Sequence, residues 1–330
     1  MKLKNQKLKK NKKLEKILNE YELLFDNKLS EDDLSDNILI LKKTEYYKII
    51  KQVNQINQTF LNKYQEKELP IIRFDCILNK KNKIKCIEIN TGTPGMFVDV
   101  GTEEVISKEL NLNKNKINLF EKKFLSLFKD NFPIYILIPK YKYDKFELNY
   151  LENLLIKNHK KIIFITKENL KTINNAYVLN LINKSEIKKY KKHIKNNNIK
   201  LINNFTGQKL ENKKILIKLS KNNKNYAKTY KNPKKLLKNK KIVYKKNKSN
   251  QGKEVKIKKI KNKIKYKKRK GYIYQEYIKP IKLKNKNINL TFFTVNKEVT
   301  NILFLISKKD IITLNNSKLL IYNIKKKKNV

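Results

Sequence analysis

One short stretch gathers residue types suited to chemistry on phosphates. "IIRFDCILNKKNKIKCIEINTGTPG" runs from Ile71 to Gly95. The chain has 80 lysines and arginines together, yet Arg73 and Arg269 are its only arginines. Of its six glycines, Gly92 and Gly95 fall here. "IIRFDCIL" and "KIKCIEIN" read as two strands joined by "NKKN", a hairpin closing at 79–82. Side chains alternate along a strand. Arg73 and Asp75 are therefore expected on one face, with Ile72, Phe74 and Cys76 on the other. On the second strand Glu88 and Asn90 are expected on the polar face together with Cys86, while Ile87 and Ile89 point to the core.

Two carboxylates and an amide oxygen are hard ligands. Asp75, Glu88 and Asn90 suit Mg²⁺, which takes a few carboxylates plus substrate phosphates. Arg73 beside them can bind a phosphate or stabilise a transferring phosphoryl group. The same four residues also read as a solvated strand face with a surface ion pair. The Gly/Pro loop after Asn90 favours the metal reading, because it shapes the strand end.

Two further stretches carry weaker signals. "VYKKNKSNQGKEV" is a strand ending near Lys245, a small polar loop with Gly252, and a second strand. Such a loop can lie over phosphates with its backbone N–H groups, and Lys245 can meet one as a point charge. A lysine near a one-glycine turn is also ordinary. The spacing of a Walker A loop is absent. "YIYQEYIKP", at 272–280, is an edge strand able to offer backbone groups to an adenine edge.

The elements that position these stretches follow from periodicity. Residues 1–43 read as a basic helix over 1–28 and an acidic segment, "SEDDLSDN". Residues 44–132 hold an amphipathic helix with Tyr46, Ile49, Ile50, Val53, Ile56, Phe60 and Tyr64 on its apolar stripe, then the hairpin. Two helices follow, in 103–110 and 117–130. Strands alternate with helices through 133–205, which predicts a small parallel α/β layer. Residues 206–330 hold a helix, "ENKKILIKLS", and antiparallel strands, including "GYIYQEYI", "INLTFFTV", "VTNILFLI" and "DIITL". The tail "KKKKNV" reads as frayed. The fold class is α/β (α+β).

Composition bounds the function. The net charge of +51 raises a nucleic-acid or other polyanion binder as one reading. Lysines are spread along the whole chain, asparagine is enriched with them, and arginine is scarce. That pattern fits a surface of solvated lysines and nonspecific, salt-sensitive polyanion binding. No apolar run reaches the roughly 18–20 residues of a membrane helix. The basic N-terminus lacks the apolar core of a signal peptide, so a cytoplasmic location is expected. Cys76 and Cys86 are expected to be reduced. They lack zinc-type spacing with His159 and His193.

Taken together, the three stretches resemble the ATP-grasp superfamily. "RFDCILNKKNKIKCIEINTGTPG" resembles its Mg²⁺ segment. "KIVYKKNKSNQGKEV" resembles its lysine strand and phosphate loop, "YIYQEYIKP" its nucleotide hinge, and "LENKKILIKLS" the helix carrying an upstream lysine, here Lys213. The Mg²⁺ segment comes first, with Arg two residues before Asp. That order resembles the circularly permuted group that includes glutathionylspermidine synthase, over roughly residues 44–315. The resemblance implies a nucleotide-binding half with a mobile lid, and a pre-ATP-grasp domain at 133–205. It implies an ADP-forming carboxylate–amine ligase that uses ATP and Mg²⁺ and works through an acyl phosphate, with small-molecule or peptide substrates.

Carried over, Asp75, Glu88 and Asn90 hold Mg²⁺ and Arg73 steadies the transferred group. Lys213 and Lys245 meet ATP phosphates, and Ser249, Gln251, Gly252 and Lys253 close over them. Gln275, Glu276 and Ile278 line the adenine pocket. Where the family has a further arginine after the hinge, this chain has Ser307, Lys308 and Lys309. Two other readings stay open: a basic nucleic-acid or polyanion-binding protein, and an ATP-grasp scaffold that binds nucleotide without turnover.

Overall fold

The computed structural model describes residues 4–7, 35, 37–64, 69–92, 97–112, 119–128, 132–139, 145–158, 161–182, 184–203, 205–236, 241–247, 255–259, 269–311 and 317–325. The chain starts with two antiparallel strands, β1 (Lys4–Lys7) and β2 (Asn37–Lys42). Residues 4–7 therefore do not belong to the basic helix expected over 1–28, whose remainder lies outside the described residues. Pairing of their backbone with residues 37–40 overrides the local helical spacing.

Helix α1 (Lys43–Lys63) follows directly. Its start is fixed by Glu45, whose Oε2 accepts the Lys42 N–H at 3.0 Å and so caps an otherwise orphaned donor. Tyr46, Ile49, Val53, Ile56 and Phe60 recur at helical spacing and are buried. They pack on the hairpin of β3 (Ile71–Leu78) and β4 (Ile84–Asn90). The turn closes through Asn79, whose Oδ1 accepts the Lys81 and Lys83 N–H groups. Asn82 supplies the positive φ, 57°, which asparagine tolerates better than most residues.

Helices α2 (Phe97–Glu109) and α3 (Phe120–Leu125) come next. Then β5 (Ile134–Leu137), α4 (Lys145–Ile156), β6 (Ile162–Ile165), β7 (Ala176–Asn180), α5 (Lys184–Ile187), α6 (Lys191–Asn196) and β8 (Ile199–Ile202) alternate. Their strands form a four-stranded sheet ordered β6-β5-β7-β8, parallel throughout, which is the α/β layer that the alternating pattern predicts.

The last part holds α7 (Phe205–Leu210), α8 (Ile215–Asn222), β9 (Thr229–Tyr230), β10 (Lys241–Lys246), β11 (Val255–Lys259) and β12 (Tyr272–Glu276). These four strands make an antiparallel sheet ordered β11-β10-β12-β9. After them come β13 (Lys282–Leu283), β14 (Lys286–Val295), β15 (Glu298–Ser307), β16 (Lys318–Leu319) and β17 (Tyr322–Lys325). Strands β16-β15-β14-β3-β4 form one sheet, with β13 also on β14, so hairpins far apart in sequence share it. β17 lies parallel to β2. The strand expected at "DIITL" is not formed at Asp310 and Ile311, which lie in a bend; 312–314 are outside the described residues.

Both faces of the large sheet are covered. On one, Phe74 and Phe292 stack at 4.6 Å between ring centroids, beneath α1. On the other, Phe293 and Leu303 join Phe97 of α2 and Phe120 and Phe124 of α3. Each such aromatic contributes about 1.5–3 kcal/mol through burial. The architecture is thus mixed α/β, with parallel and antiparallel sheets.

Candidate functional site

The register of β3 and β4 sets Arg73 opposite Asn90 and Asp75 opposite Glu88. Facing residues of an antiparallel pair share a sheet face, so these four side chains lie together, as expected from the sequence, but through a register shift that alternation does not include. Between Asp75 and Cys76 the register shifts, and Cys76 faces Cys86. Ile87 is the extra residue of this bulge. The shift corrects two expectations. Cys86 is not on the Glu88 face but is buried with Cys76 in the α1-side core, and Ile87 is not a core residue but half-buried. Burial pushes the Cys76 thiol well up, with Cys86 and Asp75 adding to it.

The polar face is knit by short contacts. Arg73 Nε lies 3.1 Å from Asp75 Oδ1 and Nη2 donates to Oδ2 at 3.2 Å. Asn90 Nδ2 donates to Asp75 Oδ2 at 2.9 Å. Thr291 of β14 donates its hydroxyl to Asp75 Oδ1 at 3.1 Å. Glu88 receives two ammonium groups, Lys213 Nζ at 3.1 Å from Oε1 and Lys245 Nζ at 3.7 Å from Oε2. Lys245 also donates to the Ile87 carbonyl at 2.9 Å. The bulge therefore turns a main-chain acceptor toward the lysine.

These charges set one another. Burial alone would raise the Glu88 carboxyl, but Lys245 and Lys213, helped by Arg73, outweigh it and hold it below the usual value. Burial pulls the Lys245 ammonium down, and Glu88 offsets this only in part. The result is a buried lysine set against one carboxylate, a place that a phosphate oxygen can take.

Lys213 stands in the turn before α8, not within the helix. Its segment is docked on the end of β4. Thr91 donates its hydroxyl to the Gly207 carbonyl, and the Gly92 N–H reaches Glu211 Oε1 at 3.0 Å. A Cβ on Gly207 would lie 2.3 Å from the Thr91 carbonyl oxygen, so only glycine allows this approach.

Lys245 is the penultimate residue of β10, and β12 pairs with β10 so that Val243 faces Gln275. Gln275 is buried and reaches Thr229 Oγ1 at 3.1 Å and the Ile87 carbonyl at 3.4 Å. Glu276 alternates to the opposite side of β12. Its Oε1 accepts the Lys228 N–H at 2.8 Å. Ile278 is buried beyond the strand end. Ser249, Gln251, Gly252 and Lys253 lie outside the described residues. Ser307 ends β15, and Lys308 and Lys309 are exposed in the bend after it.

The donor set suits a metal that arrives with phosphates. Asp75, Glu88 and Asn90 offer oxygens on one face, whereas no group of three His, Cys, Asp or Glu residues forms a dedicated cage among the described residues. Thr291 and the Ile87 carbonyl were not legible in sequence. Each acquires a role only from the β14–β3 register and from the bulge.

No family model matches the sequence, and no curated protein matches it. Among solved structures, the fold is similar to that of a Methylobacillus flagellatus KT protein provisionally named a gamma-glutamylcysteine synthetase. The TM-score is 0.51 at 12% identity, over 83% of this chain and 85% of that one. At that identity the likeness is one of fold.

Proposed function

We propose that the chain is an ADP-forming, Mg²⁺-dependent carboxylate–amine ligase of the circularly permuted ATP-grasp type. The observation that carries this reading is the convergence of Lys213 and Lys245 on Glu88, on the same strand face as Arg73, Asp75 and Asn90. The place of the early β3–β4 hairpin beside the late β14–β15 hairpin supports the permuted order. The name of the M. flagellatus neighbour supports a ligase in coarse terms.

In this reading the lysines exchange Glu88 for the phosphates of ATP. Glu88 and Asp75, with Asn90, would then hold Mg²⁺, which neutralises phosphate charge when bound. Arg73 leans on the transferring phosphoryl group and on the tetrahedral centre that follows. The substrate carboxylate takes the phosphoryl group, ADP leaves, and an amine displaces phosphate to give the amide. Phosphoryl transfer asks mostly for positioning and charge neutralisation, which lysines, arginine and carboxylates supply. Gln275, Glu276 and Ile278 border the adenine. The substrates are a small-molecule or peptide carboxylate and amine, and the chain works in the cytoplasm.

The test is ADP release with ATP and Mg²⁺ across a panel of amino acids, peptides and polyamines. Release that depends on one carboxylate–amine pair is expected. Nucleotide binding without turnover is the second reading, favoured by exposed Lys308 where the family has an arginine. Tight ATP binding with no ADP under any pair would select it.

A further inference from the structure

The chain's two cysteines face each other across β3 and β4. Cys86 donates its N–H to the Asn225 carbonyl at 2.8 Å, and its own carbonyl accepts the Ala227 N–H at 3.0 Å. Both backbone groups of Cys86 thus turn away from β3. The pair is of the non-hydrogen-bonded kind, in which facing Cα atoms lie only about 4.5 Å apart. That is within the roughly 4.4–6.8 Å that a disulfide spans. Both thiols are free and buried. Cys86 also donates to the Glu88 carbonyl at 3.4 Å, across the bulge.

We infer that Cys76 and Cys86 are a modification site, converted by an oxidant of the peroxide class into a disulfide that staples β3 to β4. The outer side of β4 is covered at Cys86 by residues 225–227, so a peroxide reaches a thiol only when that segment opens, and Cys86, which is bonded to it, reacts first. Its sulfur attacks one peroxide oxygen, the O–O bond breaks, and a sulfenic acid and water form. The Cys76 sulfur then attacks the Cys86 sulfur, the S–O bond breaks, and the hydroxyl leaves as a second water with the Cys76 proton. One peroxide is reduced and two thiols are oxidised, with two electrons transferred. That opening makes the step slower than at a surface thiol. The staple sits one residue from Asp75 and two from Glu88, and it fixes the bulge that turns the Ile87 carbonyl toward Lys245. This inference stands whether or not the chain is a ligase.

The experiment treats the full chain with hydrogen peroxide, then denatures it without reductant in an alkylating agent. Intact mass and peptide mapping are read. A monomer lighter by about 2 Da, two hydrogens, with neither cysteine alkylated and one peptide pair linking Cys76 to Cys86, is expected. Reduction should restore two alkylated cysteines, and Cys86→Ala should show no mass loss. Native chain that stays fully alkylatable overturns the inference. So does chain that accumulates sulfinic acid or links to a second copy, while the urea-unfolded chain forms the disulfide.

Discussion

Glu88 receives two ammonium groups from segments far downstream, Lys213 before α8 and Lys245 within β10. Asp75 is held as firmly, by Arg73, Asn90 and Thr291. Each carboxylate therefore has a distinct neighbourhood, one of two buried ammonium groups and one of a guanidinium, an amide and a hydroxyl. Asp75→Asn and Glu88→Gln should each cut Mg²⁺-dependent ADP formation by about a hundredfold or more while circular dichroism stays unchanged. Unchanged turnover in both would remove the assignment. Thr291 donates to Asp75, and in the proposed reading it positions that carboxylate. Thr291→Val should weaken the apparent Mg²⁺ affinity by about tenfold, and Thr291→Ser should restore it. Equal effects of both variants on Mg²⁺ affinity would count against the hydroxyl. The four hairpin residues were legible as the polar positions of two strands, but it is the bulge at Ile87, not alternation alone, that brings Glu88 to the Asp75 face. Thr291 was not, because a threonine in an apolar strand means nothing until its neighbour is known.

The elements place these groups through two irregularities. The bulge at Ile87 moves Cys86 into the core and leaves Glu88 facing the lysines. Strict alternation could not foresee it, since nothing in "KIKCIEIN" marks the extra residue. The second is the close approach of α7 to the end of β4. Gly207→Ala should destabilise the fold by about 1–3 kcal/mol, read as a lower urea midpoint, because its Cβ meets the Thr91 carbonyl and not a side chain that can swing away. An unchanged midpoint would mean that α7 is not docked there.

Elsewhere α2 holds Glu104, which accepts from Asn301 Nδ2 at 3.1 Å. Burial pushes its carboxyl up to about 8, with Glu121 adding and Asn301 opposing. Folded chain then keeps a proton that unfolded chain, near the ordinary 4.5, has lost. Stability conferred by Glu104 is greatest below that ordinary value and falls as pH rises toward about 8. Glu104→Gln should flatten this decline, seen by calorimetry as a smaller drop in Tm over that range. Equal drops in variant and parent would contradict it.

At the scale of the whole molecule, the parallel layer and the antiparallel strands were legible from the periods of their apolar residues. The sheet uniting β3–β4 with β14–β15 was not, because nothing local in either hairpin records a partner so distant in sequence. The same holds for β1 and β17, which flank β2 from the two ends of the described chain. The charge of +51 makes polyanion binding a background property of the surface, sensitive to salt. The lysines of the site differ from that background, since Lys213 and Lys245 are buried and aimed at one carboxylate. A ligand that binds only the folded chain raises its melting temperature. The direct test is therefore a thermal-shift measurement with ATP and Mg²⁺ on the parent chain and on Lys245→Met, at a salt concentration that suppresses surface binding. The account predicts a clear rise for the parent and little or none for the variant. No rise in the parent, alongside a large rise with single-stranded nucleic acid, would contradict it.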